Sequence, residues 1–323
     1  MRSKGVSPTA AGSLLPVPSL AERVLSGDER ALARALTTVE SGTPGADGLL
    51  ADLRAAGRRA RLIGITGAPG SGKSSLTDSL IAALRESGER VAVVAVDPSS
   101  PFTGGAILGD RIRMGRHHAD RGVFVRSMAS RGHLGGLSGT TVACATVLEA
   151  AGFENVLVET VGVGQSEVDI AGVADHVVLV LTPGAGDAVQ AFKAGIMEIA
   201  DVFAINKADL PGADRLEREV RAALELGAHD EHTWWPPIVK TVATSGHGAA
   251  DLLAACGQHA AHLGESGLES RRLARVRFEL HAALAHAAQR HLSDAGEEVV
   301  RAVAAGILTT GDAVRQLLSG ARG

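Results

Sequence analysis

Gly67-Ala68-Pro69-Gly70-Ser71-Gly72-Lys73-Ser74, continued by Ser75, fits the pattern G-x-x-x-x-G-K-[ST]. The stretch follows a short apolar run, Leu62 to Thr66, and leads into a helical one, Ser75 to Arg85. Strand, glycine-rich turn and helix in that order are the context in which the pattern carries a mechanism. The glycines let the backbone turn tightly and present its N–H groups to phosphate oxygens, and the helix start adds a favourable dipole. Lys73 is then placed to reach the β and γ phosphates, and the Ser74 hydroxyl is offered to Mg2+.

Outward from this loop the chain alternates short runs rich in Val and Ile with longer helix-compatible stretches. Strands are expected at Leu62 to Thr66, Val91 to Val96, Val123 to Ser127, Val156 to Thr160, Val177 to Leu181, Val202 to Asn206 and Ile238 to Ala243. Most are nearly continuous apolar runs, which suits strands buried on both faces. The expected class is α/β, with a largely parallel sheet between helical layers. Ahead of it, residues 1–19 read as a Ser-, Pro- and Gly-rich leader. Residues 20–60 read as a helical extension, Leu20 to Val39 and Leu49 to Arg61, broken at Ser41-Gly42-Thr43-Pro44-Gly45. The nucleotide domain is expected over 61–263. Around Gly264 to Gly267 the strand pattern stops, and 264–323 reads as a C-terminal helical segment. There Leu273, Val276, Leu280, Ala283 and Ala287 form one apolar stripe, either an intersubunit seam or an intrachain core. Thr309 with Asp312 has the spacing of a cap for a last short helix.

Asn206-Lys207-Ala208-Asp209 follows the Val202 strand, and its chemistry selects a base. A carboxylate at Asp209 can accept from N1–H and the 2-amino group of guanine. Adenine has no 2-amino donor and would leave it unpaired, a mismatch that can discriminate by roughly 10⁴-fold. Lys207 is expected to lay its stem against the base and Asn206 to tether neighbouring loops. Val242-Ala243-Thr244 is a looser candidate for donating a backbone N–H to guanine O6. Glu159-Thr160-Val161-Gly162 ends the Val156 strand with an acid on the Mg2+ side and a glycine to meet the γ-phosphate. Asp97, before Pro98, and Asp110, before Arg111, are further candidates for holding Mg2+ or its waters. Val163 follows Gly162, and the first glutamine is Gln165. A water-positioning Gln directly after that glycine is missing, so slow intrinsic turnover is expected. Lys193 follows another strand and a flexible turn, where a moving loop could carry its charge to the phosphates, or it is a plain helix-surface lysine.

Composition bounds the alternatives. The 323 residues carry a formal charge of −4 without a long basic run, so the attraction that dominates nucleic-acid affinity is missing. No apolar stretch approaches the roughly 20 residues needed to span a bilayer. Neither an export signal nor an import helix is evident, so a cytoplasmic location is expected. Cys144 and Cys256, the two cysteines, lie far apart and read as buried small hydrophobes. Lysines number five, at 4, 73, 193, 207 and 240, against 32 basic residues in all. Three of the five thus fall in candidate nucleotide segments.

Taken together, these residues resemble the P-loop GTPases that act as metallocentre and cobalamin chaperones, and specifically the MeaB family, also known as ArgK. The resemblance runs from about Leu20 to the C-terminus. It is carried by Gly64 to Leu76, Val96 to Pro101 with Gly104 to Arg111, Glu159 to Glu167, and Lys193 to Asp201. It implies a P-loop GTPase domain that binds GTP and GDP with Mg2+. It also implies a homodimer joined through the C-terminal helices, and docking on an adenosylcobalamin-dependent acyl-CoA mutase such as methylmalonyl-CoA mutase. There it would gate cofactor loading and protect the mutase. Lys193 and Asp187 fall in that family's mobile switch. Two other readings stand beside it: an ATP-dependent P-loop kinase, which Asp209 opposes, and a metal-delivery GTPase. His117-His118, His229 with His232, and His281 with His286 lack the cysteine partners a soft-metal site would use. Trp234-Trp235 reads as a packed loop anchor.

Overall fold

The computed structural model describes residues 18–97, 117, 119–129, 137, 139–160, 166–184, 195–227, 230, 233–294 and 296–319. Among them seven strands build one sheet: β1 (Arg61–Thr66), β2 (Val91–Asp97), β3 (Val123–Ala129), β4 (Asn155–Thr160), β5 (His176–Leu181), β6 (Val202–Ile205) and β7 (Ile238–Lys240). Their order is β3-β2-β4-β1-β5-β6-β7, and every pairing is parallel. The chain moves from β1 past β4 to β2, then returns past β1 to β5. It therefore changes direction at the β1–β4 pair, and in an open parallel sheet the crevice beyond the carboxyl ends of such strands receives ligand.

Both faces of β1, β2, β4, β5 and β6 are buried, as their continuous apolar runs require, while the edge strands β3 and β7 are only partly so. On β2, Ala92, Val94 and Val96 face one core and Val91 and Val93 the other. The first core is covered by α1 (Leu20–Leu25), α2 (Glu29–Ser41), α3 (Ala46–Ala55) and α5 (Gly139–Ala150). The second is covered by α4 (Lys73–Glu86) through Leu76, Leu80, Ile81 and Leu84, and by the start of α8 (Ala249–Asp294) through Leu252 and Cys256. A short helix α6 (Ser166–Asp169), then α7 (Ala213–Glu225), α9 (Gly296–Ala304) and α10 (Thr310–Ser319), complete the described α-helices, beside two 3-10 turns at Ile170–Gly172 and Ile196–Ile199. No described helix is long and apolar enough to cross a membrane. Cys144 and Cys256 are both buried, and burial pushes each thiol up to about 12.

Local chemistry corrects several boundaries. The stretch Leu20 to Val39, expected as one helix, is two. Gly27 takes φ 86° and Asp28 then caps α2, accepting from the N–H groups of Arg30 at 2.9 Å and Ala31 at 3.0 Å. Ser19, read as the end of a leader, is the N-cap of α1 in a reciprocal box with Glu22. The helix expected to reach Arg61 stops at Ala55, since Gly57 turns the chain at φ 67° and Arg61 already belongs to β1. The Ile238 strand ends at Lys240 rather than Ala243, because Val242 donates to the His247 carbonyl and closes a tight turn. Asn206 lies just beyond the end of β6. Within α8 the helix is broken at Gly264 (φ 60°, ψ −171°), where the strand pattern was seen to stop. Helix α9 had no forecast, whereas α10 is capped as expected by Thr309, whose Oγ1 accepts from the Asp312 N–H at 3.1 Å. The apolar stripe is outside the intrachain core: Leu273, Val276 and Leu280 are 50%, 42% and 56% exposed. Arg275 and Phe278, between them in sequence, turn inward.

Where α8 crosses the starts of β5 and β6, His176 and His259 are buried and share a hydrogen bond through their Nδ1 atoms at 2.9 Å. Trp234 donates to the Asp201 carbonyl at 2.8 Å and lies against His259, as a loop anchor should, whereas Trp235, expected to pack with it, is 45% exposed. Burial, reinforced by neighbouring charge, lowers His176 to about 3 and His259 to about 4. The unfolded chain binds these protons near pH 6.5 and the folded one does not. Stability should therefore fall as pH drops from about 6.5 towards 4. His259→Gln should flatten that part of a urea-midpoint-against-pH curve; an unchanged slope would assign the acid limb to other groups.

Candidate nucleotide site

The site assembles at the carboxyl ends of β1, β4 and β6. β1 ends at Thr66, and the chain then turns at Gly67 with φ 141°; a Cβ there would lie 2.2 Å from the Val180 carbonyl oxygen. A second contact forbids a side chain at Gly72, φ 88°, where Cβ would lie 2.4 Å from Asn206 Nδ2. Ala68 accepts from Ser71 N–H at 3.2 Å and closes the loop, so Gly67, Ala68, Pro69, Gly70 and Ser71 arch over the start of α4. Lys73 is 6% exposed, and its Nζ donates to the carbonyls of Gly67 at 2.8 Å and Ala68 at 3.0 Å. The ammonium is thereby held across the mouth of the loop. The Ser71 hydroxyl is buried with no hydrogen-bond partner, so the loop contains an orphan polar group. A phosphate oxygen is of the right chemistry to satisfy it.

Next to the loop, β4 delivers Glu159, 5% exposed. Its Oε1 accepts from the Ser74 hydroxyl at 2.5 Å and its Oε2 from the Thr77 hydroxyl at 2.9 Å. Ser74 and Thr77 stand three apart on one face of α4, so a single carboxylate bridges both. Thr160 donates to Thr66 at 3.0 Å and ties the two strand ends together. Ser75 lies one residue on, within the first turn of α4. Asp97 closes β2, with its side chain outside the described residues, while Asp110, Gly162, Asp187 and Lys193 lie wholly outside them.

On the other side Asn206, 1% exposed, acts as a cross-brace. Its Nδ2 donates to the Ser71 carbonyl at 2.9 Å, and its Oδ1 accepts from Thr241 Oγ1 and Ala243 N–H, both at 3.2 Å. The phosphate loop and the loop after β7 are thus fixed through one side chain. Lys207 takes φ 55°, unusual for a residue with a side chain, and its Nζ donates to the Gly70 carbonyl at 2.9 Å. The stem consequently runs from the turn after β6 back to the phosphate loop. Asp209 lies exposed on the same turn, two residues on. Of the three candidates after β7, Val242 and Ala243 already spend their N–H groups on His247 and Asn206. That leaves Thr244 to meet a base. Ser79 Oγ, on α4, donates to the Ala243 carbonyl at 2.5 Å and secures this loop from below.

Three polar residues near the site had no role in the motif reading. Thr77 could have been found from its position one turn after Ser74. Glu167 is half-buried; burial raises its carboxyl and the positive charge of Lys73 opposes the rise, which places it in the field of the phosphate loop. His117, where the chain rejoins the sheet before β3, meets Asp78 of α4 at 2.9 Å. A His-His dipeptide gave no sign of that contact. Among the described residues no group of three or more His, Cys, Asp or Glu side chains is arranged to hold a metal.

Comparison with known proteins agrees with this geometry. The family described as methylmalonyl Co-A mutase-associated GTPase MeaB matches residues 32–298. A provisionally named GTPase of Pyrococcus horikoshii is 49% identical over 273 residues, covering 84% of this chain and 86% of that one. A mouse mitochondrial protein, the methylmalonic aciduria type A homolog, is 39% identical over 193 residues, 59% of this chain and 46% of that one. Among solved structures, an LAO/AO transport system kinase superposes with a TM-score of 0.71 at 28% identity, covering 96% of this chain and all of that one. The phosphate loop, the carboxylate at the end of β4 and the Asn-Lys-x-Asp turn after β6 therefore stand in a chain that belongs to the MeaB family of P-loop GTPases.

Proposed function

We propose that this GTPase binds GTP with Mg2+ and works in the cytoplasm as a slow conformational switch on an adenosylcobalamin-dependent acyl-CoA mutase, methylmalonyl-CoA mutase or a close relative, where it gates cofactor loading and protects the mutase. The family's own description and the mouse relative support the client. The observation that carries the nucleotide reading is the Asn206 brace, which fixes the phosphate loop and the Asp209 turn as one unit. In this reading the N–H groups of Gly67 to Ser75 and the Lys73 ammonium hold the phosphates. The Lys207 stem lies along the base, and Asp209 accepts from its N1–H and amino group. The Thr244 N–H is available to O6.

The donor set suits Mg2+. A hydroxyl at Ser74 and a carboxylate at Glu159, 2.5 Å apart, are hard oxygen ligands, and this ion typically takes one or two protein groups alongside phosphate oxygens and water. Bound there, it would neutralise charge on the β and γ phosphates. Asp97 and Asp110 would hold its waters. Gly162 would donate its N–H to the γ-phosphate, and Lys193 would approach from the loop after β5. Loss of the γ-phosphate would release the Asp97 to Arg113 and Gly162 to Glu167 segments, the change that the client reads. With Val163 where a water-positioning Gln would stand, unassisted turnover is slow. A kinase reading draws on the LAO/AO neighbour's title. Base recognition at Asp209 opposes it, and competition of ATP against labelled GTP separates the two.

The exposed stripe at Leu273, Val276 and Leu280 supports a homodimer seam formed with the same face of a second chain. Three outcomes test these assignments. Asn206→Ala strands the Ser71 carbonyl and the Ala243 N–H, and should cost on the order of 2–3 kcal/mol in urea unfolding as well as most GTP affinity; full affinity would detach the brace from nucleotide binding. Asp209→Asn should weaken GTP by about a hundredfold or more and favour xanthosine triphosphate, whose 2-oxo group accepts from the amide; retained GTP preference rejects this account of the base. Leu280→Asp should give monomers by light scattering, and a persistent dimer would place the seam elsewhere.

A further inference from the structure

A crevice of about 170 Å3 lies between α3, α5 and the part of α8 beyond its kink. It is bordered by five arginines, Arg54, Arg58, Arg59, Arg272 and Arg275, by the carboxylates of Glu149 and Glu269, and on its apolar side by Leu53, Leu273 and Val276, the last two shared with the stripe proposed above as a seam. It is remote from the nucleotide site. Arg58 and Arg59 immediately precede β1, and Ala150 ends α5, whereas the phosphate loop follows the opposite end of β1. A six-residue strand separates the two regions by about 20 Å, at about 3.3 Å per residue.

The arginines are not all accounted for by internal partners. Arg54 pairs with Glu279 at 2.5 Å and Arg272 with Glu269 at 3.2 Å, while Arg275 pairs with Asp175 at 2.5 Å and Glu149 at 3.3 Å. Arg58 and Arg59 instead donate to backbone carbonyls, those of Ala150 at 2.8 Å and Arg58 at 3.3 Å. Five guanidiniums thus meet four carboxylates, and the excess positive charge sits at Arg58 and Arg59. Independently, Arg275 is 7% exposed and its Nε, buried, has no hydrogen-bond partner. A buried charged donor left unsatisfied calls for an acceptor. Glu149 accepts from Arg275 Nη1 at 3.3 Å and from the Ala60 N–H at 3.4 Å through the same oxygen, Oε1, and does not reach that Nε.

From this arrangement we infer that the crevice is a second anion site, which takes one phosphoryl group. Planar guanidiniums can match the oxygens of such a group by paired hydrogen bonds, a recognition mode ammonium side chains do not reproduce. The volume is below the 300–1,000 Å3 of pockets that enclose whole drug-sized ligands, so it accommodates a headgroup rather than an entire cofactor. An anion held here ties the N-terminal helices, α5 and the long C-terminal helix together, on the side of the sheet away from the nucleotide.

The test uses the full chain and inorganic phosphate as probe, in two backgrounds that keep phosphate out of the other site. One is the wild-type chain saturated with a non-hydrolysable GTP analogue, and the other is Lys73→Ala without nucleotide. Calorimetry should show one phosphate bound per chain in both. Arg58→Ala combined with Arg59→Ala removes two exposed side chains, leaves the core intact and should weaken phosphate at least about tenfold, with thermal unfolding no longer raised by phosphate. No saturable binding in the Lys73→Ala chain, or equal binding with and without Arg58 and Arg59, would overturn the site. The second background keeps the result independent of GTP recognition.

Discussion

The site depends on one side chain holding two walls at a fixed separation. Asn206 donates to the Ser71 carbonyl and accepts from Thr241 and Ala243, so three loops from distant parts of the chain share one buried amide. No residue of different chemistry can do this. A carboxylate would have no donor for Ser71, and an aliphatic side chain would strand groups at both ends. The glycine at position 72 follows from the same constraint, because any Cβ would displace the Asn206 amide. In the proposed reading, phosphate binding and base recognition are consequently not separable modules, and what loosens one wall moves the other.

A parallel sheet makes that brace possible. Because β1, β4 and β6 all run the same way, their carboxyl ends open on one edge, and a short loop from each suffices to reach a common ligand. Glu159 shows the economy of the arrangement: from the end of β4 it crosses to the neighbouring helix and collects both Ser74 and Thr77. The opposite edge of the sheet has a different character. There arginines from the approach to β1 and from α8 gather with more positive charge than the adjacent acids neutralise.

Much of this was legible before any coordinates. All seven strands were expected, since most of them are short, nearly continuous apolar runs bounded by turns and helix-compatible stretches. The phosphate loop and the Asn-Lys-x-Asp turn were legible because their chemistry is local in sequence. Features that depend on contact between distant segments were not. The split of α1 from α2 hinges on Gly27 and on Asp28 preferring to cap rather than continue a helix, a competition that periodicity does not register. The occupation of the Ala243 N–H by Asn206 joins residues 37 apart, and the meeting of His117 with Asp78 joins residues 39 apart. The stripe of α8 was visible, but only packing decides that Arg275 turns inward while Leu273 and Val276 stay exposed.

The central claim is that one braced pocket recognises triphosphate and guanine together. It is tested most directly by calorimetric titration of the purified chain, in the presence of Mg2+, with GTP and then with ATP. The account predicts one GTP bound per chain and an ATP affinity lower by a factor of roughly 10⁴. Equal uptake of the two nucleotides, or no heat with GTP, would contradict it.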